Sequence, residues 1–330
     1  MYMVCGSGVL LVAGVDGGAT STKAIVASLE TGSVWAGLAG PSNPVNVGAV
    51  EAGRNIVAAI EAALRGTGYS IDDVVVVVAG LAGLDSAIVR RQLESYVKES
   101  SGLGDRLVVE HDAHIALMHA SRGAPGLVVI AGTGSIAYAY TARGERVVVG
   151  DRGWLLGDEG SGFWVARVAL RRLARSLDGR SGWDCLSRGL AVRLGVTSSD
   201  ELMYWFYLTR GRIDRIAAVA RHVVELADEG CSEAIHILEE GAMLLAEAAI
   251  VAARRTGIVQ AYYTGSMFRS RVFRRVFTER LSRHGIKAVE RRIYPAVGAL
   301  LLALRSAGYK GDIVQLLTHA ESIAEKLYSD

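Results

Sequence analysis

The chain has 330 residues, a length that predicts about two domains with cores large enough to fold without a disulfide or metal staple. Hydrophobic residues make up 51% and charged residues 21%, with 39 Gly against 4 Pro, which excludes a disordered chain. A formal net charge of +2 gives no basic footprint for nucleic acid or an anionic membrane and favours a small-molecule partner.

The cysteines and the N-terminal segment indicate in which cellular compartment the protein is expected. Cys5, Cys185 and Cys231 show no CxxC spacing, which argues against a disulfide framework, a zinc site or a four-cysteine cluster and fits a reducing environment. The apolar run from Val9 to Val15 has no basic region before it and leads directly into Asp16, so it predicts a strand and not an export signal. No stretch reaches the roughly 18 uncharged apolar residues of a membrane span, and we expect a cytoplasmic protein.

The first half of the chain shows a three-stranded meander followed by alternating helices and strands. The predicted elements are strands over 9–15, 22–29 and 33–38, a helix over 50–64, a strand over 74–78, a helix over 86–98, a strand over 106–109 and a helix over 113–120. This order is βββαβαβα.

The same pattern restarts at Gly126 with an apolar strand, a Gly-rich turn and two further strands. Matching Gly17 to Gly132 aligns the two meanders, which we interpret as an internal duplication. The elements predicted after the second meander are helices over 163–177, 184–194, 200–208, 215–226 and 233–255, a strand over 259–263, a helix over 269–282, a strand over 287–289, and helices over 295–305 and 313–327.

These patterns predict an α/β fold of two duplicated βββαβαβα units that form two domains around a cleft. The helices between the second meander and the next strand form a helical insertion. We place the first domain at residues 1–121, with the C-terminal segment 312–330 packed back on it, and the second domain at 122–311. No Pro- or Ser-rich linker separates the halves, so we expect a hinge in continuous structure between them.

The first Gly-rich turn, Asp-Gly-Gly-Ala-Thr-Ser-Thr-Lys at 16–23, suits phosphate chemistry. Glycines let backbone amides approach phosphate oxygens, the hydroxyls of Thr20 and Thr22 can donate, and Asp16 can hold Mg²⁺ through water. It is not a Walker A loop, because the GxxxxGK[ST] spacing is absent and a strand follows. Taken alone, the segment could also be a hairpin turn with a surface aspartate.

The second turn, Gly132-Thr133-Gly134-Ser135, occupies the equivalent point of the second unit. One such turn would be weak evidence. Two at duplicated positions, facing the same cleft, predict a clamp that grips a triphosphate from both sides.

A carboxylate follows the predicted strand 106–109 in the segment His111-Asp112-Ala113-His114. At the C-terminal end of a strand, Asp112 can accept a hydroxyl proton while the hydroxyl oxygen attacks phosphorus. The alternative is that Asp112 only caps the helix beginning at Ala113. A metal site built on His111, Asp112 and His114 lacks a fourth ligand in the sequence.

Two later segments complete the candidate residues. In Gly-Asp-Glu-Gly-Ser at 157–161, the carboxylates of Asp158 and Glu159 can bind sugar hydroxyls, or they can complement a helix N-terminus. In Thr-Gly-Ser at 264–266, the missing side chain of Gly265 allows adenine or ribose to lie on the backbone, although strand-to-helix turns of this kind are common.

Six segments in this order, DGGATSTK, AGLAGLD, HDA, AGTGS, GDEGS and TGSMFRS, resemble the BadF/BadG-type ATPase family, which includes N-acetylglucosamine kinase and archaeal hexokinases within the sugar kinase/Hsp70/actin superfamily. The resemblance extends from Val12 to about Ala303. It implies ribonuclease H-like, actin-like ATPase units.

The resemblance also implies roles for individual residues. It places Asp16 on Mg²⁺ and makes Asp112 the catalytic base. The residues implied around ATP are Gly17, Gly18, Thr20, Lys23, Gly132, Thr133 and Gly134 at the phosphates, and Ala217, Gly265 and Ser266 at adenosine. The residues implied around the sugar are Asn43, Asp112, Ser135, Arg152, Gly153, Asp158 and Glu159. The chain departs from the similar GGWGxLLGD pattern by placing Arg152 at the Trp position, which leaves the recognition of the sugar 2-substituent open.

We therefore predict an ATP- and Mg²⁺-dependent sugar kinase that acts as a homodimer and binds neither nucleic acid nor membrane. The expected acceptor is the 6-hydroxyl of N-acetylglucosamine, glucosamine, glucose or mannose. Two alternatives remain at this point. One is an ATPase that activates a 2-hydroxyacyl-CoA dehydratase through an iron–sulfur cluster between subunits, for which the cysteines offer no pair after the Gly-rich turns. The other is a non-catalytic nucleotide- or sugar-binding regulator.

Overall fold

The computed structural model describes residues 10–84 and 87–329, with the side chains of 87–90, 92 and 93 left aside. Cys5 and the predicted first residue of the opening strand, Val9, lie outside the described residues, as do Asp85 and Ser86. The chain divides into two compact units. One comprises the residues up to Ala124 together with those from Arg292 onward, and the other comprises Pro125–Arg291.

Each unit contains one five-stranded sheet with helices around it. The strands are β1 (Leu11–Gly17), β2 (Thr22–Ser28), β3 (Val34–Ala39), β4 (Val74–Leu81), β5 (Leu107–His111), β6 (Gly126–Ala131), β7 (Ser135–Tyr140), β8 (Arg146–Gly150), β9 (Gln260–Thr264) and β10 (Lys287–Glu290). The α-helices are α1 (Pro44–Val47), α2 (Ala49–Leu64), α3 (Ala87–Ser101), α4 (Asp112–Ala120), α5 (Gly153–Leu156), α6 (Gly162–Leu177), α7 (Cys185–Leu194), α8 (Ser199–Leu208), α9 (Ile213–Ala217), α10 (Ala220–Asp228), α11 (Ser232–Thr256), α12 (Arg271–Ser282), α13 (Pro295–Ser306) and α14 (Ile313–Leu327).

The two sheets share one topology. The first has the order β3-β2-β1-β4-β5, and the second, in the same direction, has β8-β7-β6-β9-β10. In each sheet the first three strands pair antiparallel, and the last two are parallel to the first strand. The register closes the first hairpin at Gly17 and Thr22 and the second at Ala131 and Ser135. The predicted duplication and the α/β fold class are therefore confirmed.

The helical insertion differs in detail from the prediction. The helix expected over 215–226 forms two helices, α9 and α10, with a break at Ala218 and Val219. The apolar period continues across the break, because Ile216, Ala217 and Ala220 are all buried, so the pattern does not reveal it. None of the helices in the described ranges is long and apolar enough to cross a membrane.

The boundary of the first unit also differs from the expected one. Residues 292–311, which we placed in the second domain, belong to the first unit. The reason is a close approach of α13 to β1 and α4, made possible by two glycines. A Cβ on Gly14 would lie 2.1 Å from the Leu300 amide nitrogen, and a Cβ on Gly298 would lie 1.9 Å from the Ile115 carbonyl oxygen. Only glycine allows the helix backbone to pack this closely on both neighbours.

A disulfide joins Cys185, at the start of α7, to Cys231, immediately before α11. The cysteine spacing argued against a disulfide framework and did not indicate this single disulfide. The two residues are 46 positions apart, and the helices between them bring their Cα atoms to 5.7 Å. Sequence spacing could not show this approach, because it depends on the packing of the helical insertion.

Candidate functional site

The turn between β1 and β2 forms the first candidate phosphate site. The Gly18 amide donates to the Ser21 carbonyl at 3.0 Å and closes the turn. Among the described residues, none accepts a hydrogen bond from the next two amides, those of Ala19 and Thr20, and both residues are exposed. Consecutive unpaired amides beside a glycine form a concavity that suits phosphate oxygens.

Buried groups hold this turn in place from below. The Gly18 carbonyl accepts hydrogen bonds from the amides of Ser42 and Asn43 at 3.1 and 3.2 Å. Thr22 is fully buried, and its hydroxyl lies 2.6 Å from the Gly40 carbonyl and 2.7 Å from the Ser42 hydroxyl. The segment after β3 therefore fixes the position of the unpaired amides. Thr22 supports the turn and does not face a ligand.

Asp16 lies at the end of β1, next to this turn. Its Oδ2 accepts a hydrogen bond of 2.7 Å from the Tyr328 hydroxyl, and the Lys23 ammonium lies 4.8 Å from the centre of the same tyrosine ring. Burial raises the pKa of Asp16, the hydrogen bond from Tyr328 and the charge of Lys23 lower it, and the charge of Asp112 raises it. Asp16 is paired with Gly80 on β4, and Gly80 is paired with Glu110 on β5, so Asp16 and Asp112 lie at the same edge of the first sheet.

Asp112 is the first residue of α4, and 39% of its side chain is exposed. Its Oδ1 accepts a hydrogen bond of 2.7 Å from the Ala113 amide and lies 2.9 Å from His111 Nδ1. The N-cap of the helix is His111, whose Nδ1 accepts from the Ala113 amide, so the helix begins one residue earlier than predicted. No group in the described part of the chain donates to Asp112 Oδ2. This oxygen is available to accept a proton.

Asn43 follows β3 and is 9% exposed. Its Oδ1 accepts a hydrogen bond of 3.0 Å from the Val45 amide and caps α1. The turn after β4 lies against it, because a Cβ on Gly83 would be 2.5 Å from Asn43 Oδ1. Across the described residues no acceptor bonds to its Nδ2, so this amide group can donate to a ligand hydroxyl.

The turn between β6 and β7 repeats the arrangement in the second unit. The Gly132 amide donates to the Gly134 carbonyl at 2.9 Å, and none of the described residues accepts from the amides of Thr133 and Gly134. The carbonyls of Gly132 and Thr133 accept hydrogen bonds from the Gly162 and Phe163 amides at 2.8 and 3.2 Å. This turn therefore rests on the first turn of α6, where the helix dipole also favours an anion.

The predicted sugar carboxylates lie beside this second turn. Asp158 is 8% exposed, its backbone has a φ of +56°, and its Oδ2 would be 3.0 Å from a Cβ on Gly134. The Ser135 hydroxyl donates to the half-buried Glu159 backbone carbonyl at 2.9 Å. The N-cap of α6 is Ser161, whose hydroxyl accepts from an amide in the first turn of the helix at 3.1 Å. Ser161, and not Asp158 or Glu159, therefore supplies the N-cap of α6.

The predicted adenosine residues also lie near the second turn. The buried Ala217 has its carbonyl oxygen 3.4 Å from the position of a Cβ on Gly162. Gly265 has a φ of +118°, and a Cβ there would be 2.2 Å from the Ala131 carbonyl oxygen. Ser266 is the exposed first residue of a 3₁₀ turn, Ser266–Arg269. Ala217 and Gly265 thus flank the glycine-rich turn.

Arg152 and Gly153 lie at the start of α5, after β8. Arg152 is exposed. A Cβ added to Gly157, which precedes Asp158, would lie 3.0 Å from Arg152 Cβ. Gly153 has a φ of +73°, which favours glycine. These two residues are therefore close in the fold to the predicted sugar carboxylates.

Three residues of these sites did not emerge from the sequence. Tyr328 contacts Asp16 across 312 positions, and no local pattern signals that contact. Ser42 stands beside Asn43, which the family resemblance already indicated. Ser161 is the last residue of the quoted GDEGS segment, and a Ser before an apolar helical pattern is a usual N-cap signal.

One group of potential metal ligands lies outside these sites. Within the described ranges, one group of three potential ligands occurs close together, formed by Cys185, Cys231 and Glu233. The two sulfur atoms are joined in the disulfide, so they are not available as thiolate ligands. This group lies in the helical insertion and contains none of the residues described above.

The chain is similar in sequence and in fold to known proteins. The chain is 28% identical over 231 residues to the N-acetylmuramic acid/N-acetylglucosamine kinase of Clostridium acetobutylicum, covering 70% of this chain and 75% of the relative. It is 25% identical over 311 residues to the N-acetyl-D-glucosamine kinase of Dictyostelium discoideum, covering 89% and 97%. Its fold is similar to the crystal structure of a proposed N-acetylglucosamine kinase from Chromobacterium violaceum, with a TM-score of 0.75, 24% identity and coverage of 89% and 99%.

A protein-family sequence model matches residues 13–303, which is most of the chain. The match includes all the site residues described above except Tyr328. The resemblance found in the sequence motifs is thereby confirmed. The chain belongs to the BadF/BadG/BcrA/BcrD ATPase family.

Proposed function

We propose that this chain is an ATP-dependent kinase that phosphorylates a hexose or amino sugar, with N-acetylglucosamine, glucosamine, glucose and mannose as candidate acceptors. One observation carries the proposal. In both units the first hairpin ends in a glycine-rich turn with two consecutive amides that have no acceptor among the described residues, at Ala19 and Thr20 and at Thr133 and Gly134. Consecutive amide donors of this kind suit phosphate oxygens.

The chemistry of the acceptor is supported by the relatives. The two described above are named kinases of N-acetylglucosamine, and one of them also of N-acetylmuramic acid. A kinase for such substrates needs buried carboxylate and amide groups for sugar hydroxyls. Asp158 and Asn43 have this character, since both are polar side chains less than one tenth exposed. We assign them to sugar binding, together with Ser135, Arg152, Gly153 and Glu159.

In the proposed mechanism Asp112 is the general base. Its Oδ2 accepts the proton of the sugar hydroxyl, expected to be the 6-hydroxyl, while that hydroxyl oxygen bonds to the γ-phosphorus of ATP and the bond from phosphorus to ADP breaks. Oδ1 is held by the Ala113 amide, which fixes the direction of the carboxylate. Capping contacts and base catalysis therefore involve different oxygens of the same side chain.

Each turn is proposed to supply amides to phosphate oxygens, with Gly17, Gly18, Thr20 and Lys23 around the first turn and Gly132, Thr133 and Gly134 in the second. Their hydrogen bonds would stabilise the charge that develops on the phosphoryl oxygens in the transition state. Because the turn at Gly18 is fixed by hydrogen bonds from the segment after β3, the donors need little reorganisation. Ala217, Gly265 and Ser266 are assigned to the adenosine, beside the second turn.

The residues around Asp16 fit Mg²⁺. The carboxylates of Asp16 and Asp112 are hard oxygen ligands; burial raises the pKa of Asp16, and repulsion from Asp112 adds to that effect. A divalent cation near them would remove this repulsion. We propose that Asp16 orients Mg²⁺ through water; when bound, the ion neutralises negative charge on the ATP phosphates.

Two parts of the sequence prediction stay predictions. Sedimentation or light scattering would test the predicted homodimer, and cell fractionation would test the predicted cytoplasmic location. The alternative of a dehydratase activator needs cluster-binding thiolates, and two of the three cysteines are instead joined in a disulfide.

The test is ATP consumption by the purified protein, measured with each candidate sugar and without sugar. We expect sugar-dependent ATP consumption with at least one member of the panel, and a product phosphorylated at the 6-hydroxyl. ATP consumption that no sugar stimulates would contradict the kinase proposal.

A further inference from the structure

The C-terminal helix α14 reaches the end of β1 through Tyr328. Two hydrogen bonds fix the tyrosine hydroxyl: the Ala296 amide donates to its oxygen at 3.2 Å, and the hydroxyl donates to Asp16 Oδ2 at 2.7 Å. Ala296 is in the first turn of α13, where amides have no partner within the helix. The amide donor and the carboxylate acceptor together allow only one direction for the hydroxyl proton.

The tyrosine ring also contacts Lys23. The Lys23 ammonium lies over the Tyr328 ring, 4.8 Å from its centre, and donates to the Ser21 hydroxyl at 3.0 Å. The ring thus holds the ammonium by a cation–π contact while its hydroxyl holds the carboxylate. Without the hydroxyl, Asp16 would be free to rotate toward the ammonium.

A separate anchor holds α14 to the rest of the first unit. The Glu321 carboxylate lies 3.0 Å from His119 Nε2. It also forms an ion pair with the Arg122 guanidinium, with N–O distances of 3.0 and 3.2 Å. His119 Nδ1 accepts from the Tyr294 amide at 3.3 Å, so in the neutral ring the proton is on Nε2, facing Glu321. Because α14 has this second anchor, the hydrogen bond of Tyr328 to Asp16 is not needed to hold the helix.

We propose that Tyr328 is a positioning residue of the kinase site: it fixes the Asp16 carboxylate in the orientation needed to receive Mg²⁺ with ATP. The proposal rests on the proposed function, since it assumes that Asp16 serves a magnesium–nucleotide complex. Tyr328 itself touches neither substrate nor phosphate. Its effect is expected only in the magnesium-dependent part of nucleotide binding.

The test is calorimetric titration with the non-hydrolysable analogue AMPPNP, with and without Mg²⁺, on the full chain and on Tyr328→Phe. This substitution keeps the ring and its contact with Lys23 and removes only the hydroxyl. We expect the affinity for AMPPNP with Mg²⁺ to fall about tenfold and the affinity without Mg²⁺ to stay unchanged, as for the loss of a hydrogen bond to a charged group. In turnover, the Mg²⁺ concentration at half-maximal rate should rise while the KM for sugar does not change.

Two variants separate positioning from a structural role. Tyr294→Phe removes a hydroxyl from the neighbouring ring, whose centre is 5.6 Å from that of Tyr328, and should change neither affinity. Glu321→Gln weakens the other anchor of α14 and should lower the unfolding temperature without changing the magnesium effect. An equal loss of Mg²⁺-dependent affinity in Glu321→Gln, or no loss in Tyr328→Phe, would overturn the proposal.

The same titration separates this inference from the kinase proposal. If the wild-type protein binds AMPPNP with Mg²⁺ but phosphorylates no sugar, the kinase proposal fails and the Tyr328→Phe comparison still decides the role of the tyrosine. If the wild-type protein binds no nucleotide at all, both are wrong.

Discussion

The disulfide between Cys185 and Cys231 allows a prediction with a calculated magnitude. It closes a loop that includes α7, α8, α9 and α10 and therefore Ala217, the proposed adenosine residue. In the chain-entropy model, a cross-link between residues 46 positions apart stabilises the fold by about 4 kcal/mol at room temperature. For a unit of this size, that corresponds to a decrease of roughly 10 °C in unfolding temperature when the cross-link is removed.

The assay is differential scanning calorimetry of the wild-type chain and of the double variant Cys185→Ala/Cys231→Ala, each with and without a phosphine reductant. We expect reductant to lower the transition of the second unit in the wild-type chain and to leave that of the variant unchanged. Cys5→Ala is the control for thiol content and should behave as the wild-type chain. Because Ala217 lies within the loop, AMPPNP should also bind more weakly to the double variant.

A thiol titration gives the direct check. The denatured but unreduced chain should have one reactive thiol, and the reduced chain should have three, the total number of cysteines. The disulfide would be excluded if three thiols reacted before reduction. Its stabilising effect would be excluded if neither reductant nor the double substitution changed the transition temperature.

Three further substitutions test the site. Gly265→Ala should destabilise the second unit by at least about 2 kcal/mol in chemical denaturation and weaken AMPPNP binding, because the new Cβ would lie 2.2 Å from a backbone oxygen. The control is Gly257→Ala, which is also at positive φ but in open space and should cost about 1 kcal/mol. Thr22→Val removes a buried hydroxyl that supports the first turn and should cost about 1–3 kcal/mol in the same assay, against about 0.5 kcal/mol or less for the exposed Thr31→Val. The pKa of Asp16 is higher in the folded protein than in the unfolded chain, so the folded state binds this proton more tightly. The protein therefore loses stability as the pH rises above the pKa that Asp16 has in the unfolded chain. Asp16→Asn should therefore raise the unfolding temperature at neutral pH but not below about pH 3; an equal change at both pH values would contradict this.

Much of the fold follows from local sequence patterns. The repeated run of an apolar strand, a Gly-rich turn and two further strands is a short-range signal, and the two sheets have the identical order that it predicts. Most helix boundaries agree within one or two residues because apolar period and capping residues are also local. The glycine-rich turns could be found for the same reason, since each is a continuous segment.

The missed features all depend on long-range packing. The position of α13 depends on Gly14 and Gly298, which no pattern relates to each other. The disulfide depends on how the helical insertion folds, and the contact of Tyr328 with Asp16 joins the two ends of the chain.

The most direct measurement compares Asp112→Asn with the wild-type chain in sugar-dependent ATP consumption, with Asp105→Asn, an exposed aspartate in the turn before β5, as the matched control. If Asp112 accepts the hydroxyl proton, its substitution lowers the turnover by at least about a hundredfold, leaves AMPPNP affinity unchanged, and the control retains full activity. Turnover in Asp112→Asn that equals that of the wild-type chain would contradict the central claim.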